Sequence, residues 1–154
     1  MNQKINKIVL NKKGFTLAEV MISTFLLVLI FSGTILTFFH CMDLNEMARN
    51  SSIALSAIKS RIAEIENTPY SQISAMYNNA TFTSPDLKGI GVSTINNANP
   101  DFLEVTATFT WQQKNGRIVG EDLNMNGIIN FGEDVNNNNI LDSPVTVATA
   151  IYNI

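Results

Sequence analysis

Residues 12–39 read KKGFTLAEVMISTFLLVLIFSGTILTFF. Two lysines and a glycine lead into about 25 residues that are almost wholly apolar, long enough as a helix to span roughly 37 Å and so cross a bilayer of about 30 Å with some tilt. One carboxylate, Glu19, sits just inside the run. A charged side chain at mid-bilayer costs on the order of 2.5 to 3.5 kcal/mol, and less near an interface. Something must offset that cost. A glutamate in the first turn of a helix is favoured by the helix dipole. The apolar run continues to Phe39 and is followed by His40-Cys41-Met42-Asp43. A secretory signal peptide has a shorter apolar core and a small-x-small cleavage site, and neither is found here. An uncleaved signal anchor is the remaining plain alternative.

The arrangement Lys12-Lys13-Gly14-Phe15-Thr16-Leu17-Ala18-Glu19 resembles the N-terminus of type IV pilins and type II secretion pseudopilins. In those proteins basic residues, Gly, Phe-Thr-Leu, any residue and Glu stand in this order. The resemblance implies that a prepilin peptidase cuts between Gly14 and Phe15 and methylates the new amine of Phe15. Glu19 would then be the fifth mature residue, placed to meet an N-terminal ammonium of its own or of a neighbouring subunit. The proline that kinks the membrane helix of many major pilins is absent. The partners implied are the peptidase, other pilins or pseudopilins through the N-terminal helix, and the inner membrane.

Charge distribution agrees with that orientation. The 154-residue chain has a formal net charge of −3, but Lys4, Lys7, Lys12 and Lys13 lie in residues 1–14 with no acid among them. The positive-inside rule keeps such a segment cytoplasmic. The remainder is acidic, which argues against nucleic-acid binding through a basic patch. Cys41 is the single cysteine, so no intrachain disulfide framework exists.

Beyond Met42 the pattern becomes amphipathic. Leu44, Met47, Ala48, Ser51, Leu55, Ile58, Ile62 and Ile65 recur at steps of three and four, one stripe of a helix. The expectation is a single helix from Phe15 to about Asn67, closed by Pro69. Residues 70–100 carry weak signals: Tyr70, Ile73, Met76 and Tyr77 suggest a short ordered connection, and Ile90 and Val92 a short strand. Leu103, Val105, Ala107, Phe109 and Trp111 then alternate with polar residues, as in a half-buried antiparallel strand. Asn115-Gly116 predicts a tight hairpin turn, because both residues tolerate positive φ. Val145, Val147, Thr149 and Ile151 mark a last strand. The fold class is α+β: a long N-terminal helix, half membrane and half amphipathic, packed on a small antiparallel sheet. Residues 1–14 read as a basic leader, 15–40 as the membrane or filament-core helix, 41–67 as its amphipathic half, and 68–154 as a β-sheet head.

Within the head, residues 120–131, GEDLNMNGIINF, and 132–143, GEDVNNNNILDS, form a tandem repeat of period twelve. The first copy, extended to Glu133, fits the calcium-loop pattern D-x-[DN]-x-[DN]-G-x5-E. Asp122, Asn124 and Asn126 take the first, third and fifth positions, Gly127 the sharp turn, Ile128 the backbone carbonyl, Asn130 the ninth position and Glu133 the bidentate close. In the second copy Asp134, Asn136 and Asn138 match, Asn139 replaces the glycine, Ile140 offers the carbonyl and Asp142 takes the ninth position. Its twelfth position is Val145, which has no side-chain ligand. The isoleucines stand where they would anchor each loop inward. The repeat resembles EF-hand-like and thrombospondin-type calcium loops without flanking helices. Calcium is the expected cofactor, with an affinity of about 10⁻⁴ to 10⁻³ M given so few carboxylates. The alternative is a solvated, asparagine-rich loop that turns without any ion.

No catalytic constellation accompanies these features. His40 is the single histidine, at the membrane boundary, and no phosphate-binding glycine loop or Cys/His cluster is present. The sequence argues against an enzyme. The resemblance implies a minor pilin of a type IV filament, with a type II secretion pseudopilin as runner-up. A membrane-anchored, calcium-dependent adhesin that never polymerises is the alternative from a different class.

Overall fold

The computed structural model describes residues 14–153, and the basic leader assigned to residues 1–14 lies outside that range except for Gly14. Helix α1 runs Leu17–Glu66 without a break. The chain divides into two units, residues 1–42 and 43–154, and α1 contributes to both.

In the first unit every described residue is exposed. None of the most apolar stretch of α1 is buried within the protein. Its polar side chains turn inward on the helix itself. Thr24, Ser32, Thr34 and Thr37 each donate their hydroxyl to a carbonyl three or four residues earlier, at 2.9–3.0 Å. Such back-bonding satisfies a hydroxyl without water. The segment is therefore a long apolar helix with these four hydroxyls met internally, a form consistent with membrane anchoring.

In the second unit the later half of α1 lies against an antiparallel sheet. After α2 (Tyr70–Tyr77) the strands are β1 (Ala80–Ser84), β2 (Leu87–Asn96), β3 (Phe102–Gln112), β4 (Ile118–Val119) and β5 (Thr146–Tyr152). β1, β2 and β3 follow one another across the sheet. The far edge of β3 is shared: β5 pairs with its first half and β4 with its last two residues. Residues 120–145 thus form an insertion that leaves the sheet after β4 and returns to it as β5.

The alternation of β3 holds. Leu103, Val105, Ala107, Phe109 and Trp111 are all buried toward the helix. The helix meets them with Ala54 and Ile58 under the large aromatics and Ile65 beside Leu103 and Val105. The buried stripe is turned slightly from the expected one. Asn50 and Ala54 are buried, whereas Leu44 and Ala48 are exposed. A small residue at position 54 fits because Phe109 and Trp111 already fill the space between layers.

Three elements of residues 70–100 differ from expectation: α2 is a full two-turn helix, β1 exists, and β2 has ten residues. Glycines hide β2. A Cβ at Gly89 would run into Phe109 and the backbone of Trp111, and one at Gly91 would enter the Phe82 ring. Gly91 is flanked in register by Phe82 and Phe109, whose rings close over it at 5.8 Å between centroids. A strand glycine here marks close approach rather than a break.

The Asn115-Gly116 turn also differs. Only Gly116 has positive φ, at 86°. Its N–H donates to the Gln113 carbonyl, and Gln113 N–H to that of Arg117. This matches the longer hairpin class in which a turn is followed by a left-handed glycine. Asn115 is held instead by its side chain, which accepts from Arg117 N–H at 3.0 Å.

Candidate functional site

Two regions gather the residues singled out by sequence. The first is the N-terminal end of α1. Gly14 and Phe15 precede the helix and are exposed, with Phe15 81 % accessible. Thr16 caps the helix: its carbonyl accepts from Glu19 and Val20 N–H, and its hydroxyl accepts from Glu19 N–H at 3.3 Å. Glu19 answers by accepting from Thr16 N–H and hydroxyl at 3.4 Å. Reciprocal bonds between a threonine cap and a glutamate three residues on make a capping box. Thr16-Leu17-Ala18-Glu19 carries that signature in the sequence.

The second region is the 120–145 insertion. It folds across the face of the sheet opposite α1. Gly127 lies against Thr81 and Ile90, Gly120 against Thr110, and the Ser143 hydroxyl donates to the Phe109 carbonyl at 2.6 Å. This explains why Thr108, Thr110 and Val92 are buried although they point away from the helix. A cleft of about 400 Å³ remains between the insertion and β2, lined by Val92, Thr94, Ile128, Ile129, Ile140 and Leu141 among others. The expectation that isoleucines anchor each loop inward is corrected for the first loop, where Ile128 and Ile129 are exposed; in the second, Ile140 is half-buried beside the buried Leu141. Close packing of Gly127 on Thr81 leaves the side chain that follows it facing outward.

The two copies have the same backbone. Positive φ recurs at Met125 and Asn137, and again at Gly127 and Asn139, twelve residues apart in each pair. Hydrogen bonds recur as well. Asp122 accepts from Asn126 and Gly127 N–H, at 3.1 and 2.7 Å; Asp134 accepts from Asn138 and Asn139 N–H, at 3.0 and 2.9 Å. Asn124 accepts from Asn126 N–H, and Asn136 from Asn138 N–H. Asn126 accepts from Ile128 N–H, and Asn138 from Ile140 N–H, both at 2.8 Å. Asn139, at φ 59°, performs the turn that Gly127 makes at 74°.

Closure differs between the copies. Glu133 spans the first loop, accepting from Asn124 N–H at 3.3 Å and Asn130 N–H at 2.9 Å. The Asn130 side-chain nitrogen touches Asn126 Oδ1, the Ile128 carbonyl and Glu133 Oε2, at 3.3, 2.8 and 3.0 Å. These are oxygens of the fifth, seventh and twelfth positions, and a two-hydrogen amide cannot serve all three fully. In the second loop the Asn136 and Asn138 amides both donate to Asp142 Oδ2, at 2.6 and 2.8 Å.

The electrostatics are one-sided. Residues 118–154 contain five carboxylates and no lysine, arginine or histidine. Asp122 and Glu133 are 1 % and 4 % accessible. Among the described residues the one ion pair, Arg61 with Glu64, lies elsewhere. Buried carboxylates without a cation are costly. Among the described residues no three His, Cys, Asp or Glu side chains converge; the donors are carboxylates supplemented by amides and carbonyls. An all-oxygen set of this kind fits a hard cation such as calcium and not a nitrogen- or sulfur-seeking metal.

Burial pushes the Glu133 carboxyl up, but hydrogen bonds from the Asn130 side chain and from the N–H groups of Asn130, Asn124 and Leu123 together outweigh it and hold the group below its ordinary value of 4.5. A carboxyl depressed on folding stabilises the fold in full above the unfolded value and loses that contribution as pH falls through the folded one. In chelator, the melting temperature should therefore fall on acidification below about pH 4.5. Glu133→Gln should flatten that acid limb. Melting curves of both proteins across the acid range check this, and parallel acid limbs would remove Glu133 as a contributor.

Compared with known proteins, the chain matches no family model, no curated protein and no solved structure.

Proposed function

We propose that the chain is a minor pilin, a subunit of a type IV pilus-type filament that is trimmed by prepilin peptidase after Gly14 and assembled through its N-terminal helix. One observation carries the reading. The apolar first half of α1 is exposed throughout and opens on Thr16 and Glu19, so it requires lipid before assembly and the helices of other subunits after it. The lysine-rich leader stays cytoplasmic and the sheet unit faces the opposite side of the membrane. There the head binds calcium through Asp122, Asn124, Asn126, Ile128, Asn130 and Glu133. The second loop, Asp134 to Asp142, follows the same turn by turn. The ion neutralises buried charge and ties the insertion to the sheet.

The calcium loops near the C-terminus favour one second reading, a pseudopilin of a type II secretion system. Coexpression with a prepilin peptidase, followed by mass analysis of the mature N-terminus, tests the common core of both. The expected product begins at N-methylated Phe15. An intact N-terminus in membranes would point instead to an anchored, calcium-dependent binding module. Sheared surface pili from a strain lacking the protein then separate the two filaments: their loss supports the pilus, and their persistence the secretion system.

A further inference from the structure

The cations of the sheet unit gather at one end of it. Residues 43–154 hold six lysines and arginines against twelve carboxylates, and four of the six are Arg49, Lys88, Lys114 and Arg117. All four are exposed, and none is in an ion pair among the described residues. Hydrogen bonds bring them to the hairpin between β3 and β4. Lys88 Nζ donates to Gln112 Oε1 at 2.6 Å, and Gln112 Nε2 donates to the Gly116 carbonyl at 3.2 Å. The hairpin carries Lys114 and Arg117 and is tied to α1, since Lys114 N–H donates to Glu46 Oε1 at 2.8 Å. Arg49 follows Glu46 by one turn of the helix.

The fold alone does not explain this grouping. Like charges held together oppose folding, and no pairing among the described residues offsets them. Asp43 and Glu46 are the carboxylates of α1 at this end, and Glu46 is engaged with the hairpin backbone. Asp86 lies farther along α1, in a groove with Ser56 and Ser60. What distinguishes the cationic end is its place in the chain. Glu46 is seven residues beyond Phe39, where the apolar run stops, a helical rise of about 10 Å. The headgroup layer of a bilayer extends roughly 5 to 8 Å beyond the hydrocarbon, and long lysine and arginine stems reach back toward it.

We propose that Arg49, Lys88, Lys114 and Arg117 form a docking surface for the anionic headgroups of the bilayer that holds the apolar half of α1. Charge complementarity carries the proposal. The sheet unit as a whole is acidic and its insertion holds no cation, so an anionic bilayer repels the insertion and attracts the hairpin. Each cation near such a surface favours contact on the order of fivefold. The hairpin tip, Asn115-Gly116, is polar, so the contact is electrostatic and involves no insertion into the hydrocarbon. The proposal rests on the membrane reading of α1 and is independent of cleavage, filament assembly and calcium.

Lysine acetylation of the full chain in lipid nanodiscs, resolved by peptide mass analysis with an uncharged reagent, tests this. In phosphatidylcholine containing about one third phosphatidylglycerol, Lys88 and Lys114 should react at least about threefold more slowly than in phosphatidylcholine alone. Lys59 is exposed on α1 thirteen residues beyond Glu46, roughly 20 Å along the helix, and should keep its rate. Raising salt from about 0.1 M to about 1 M shortens the screening length from roughly 10 to 3 Å and should remove the difference. Arg49→Gln combined with Arg117→Gln, both exposed positions, should cut it by at least about half at Lys114. Equal rates in the two lipids would overturn the proposal. So would slowing shared by Lys59, slowing that survives high salt, or a difference that the double variant leaves intact. Slowing alike in both lipids that grows with the number of chains per disc would assign the cations to a neighbouring chain instead. A chain that does not enter the discs would overturn the membrane reading itself.

Discussion

Trp111→Ala should lower the unfolding free energy of the sheet unit by about 3 to 5 kcal/mol, near the upper range for a single core truncation. Trp111 is fully buried and heads the largest core side chains, packed with Ala54, Ile58, Leu87, Ala107, Phe109 and Val119. Ala54 on the facing helix is too small to fill the space it would leave. The indole adds a second, opposite term. Its Nε1 is buried with no hydrogen-bond partner among the described residues, and an unmet donor costs about 1 to 3 kcal/mol. Trp111→Phe keeps most of the ring and removes that donor, so its cost should be less than about half that of alanine. Urea unfolding followed by circular dichroism measures both, since the single tryptophan is lost in each variant. Equal costs would show that the indole nitrogen is satisfied and that its loss, rather than the lost volume, sets the penalty.

The features legible in the sequence are those with long, uninterrupted periods. The apolar run made the first half of α1 plain, the three-and-four stripe its second half, and strict alternation β3 and β5. β2 was legible only as a short strand at Ile90 and Val92 because its inward positions include Gly89 and Gly91, which are glycines on account of Phe82 and Phe109 on neighbouring strands; that reason is tertiary. β1 is five residues long and mostly polar, too short for a period to emerge. The outer face of the sheet misled in a different way. Thr108 and Thr110 read as solvated partners of an amphipathic strand, and they are buried because a segment more than ten residues away folds over them. Within the insertion the recurrence of the same turns twelve residues apart was legible from the repeat.

Glu19→Gln should abolish incorporation into filaments while leaving cleavage after Gly14 intact. Two roles compete for this residue. In the structure it completes a capping box with Thr16, which accounts for a glutamate in the first turn at a value of about 1 kcal/mol without any second subunit. In the proposed filament it also neutralises a neighbour's N-terminal ammonium inside an apolar bundle, where leaving either charge unpaired costs several kcal/mol. Glutamine separates these roles because it can fill the third position of a capping box and cannot carry the charge. Thr16→Ala makes the reverse change, removing the cap and keeping the carboxylate. If charge pairing dominates, Glu19→Gln vanishes from sheared filaments and Thr16→Ala still enters them, since about 1 kcal/mol is small beside the burial of the whole apolar helix. If the cap dominates, Glu19→Gln assembles normally and Thr16→Ala fails. Mass analysis of the mature N-terminus beside immunoblots of membrane and filament fractions reads both variants. Normal assembly of Glu19→Gln would remove the intersubunit role and leave Glu19 as a helix cap.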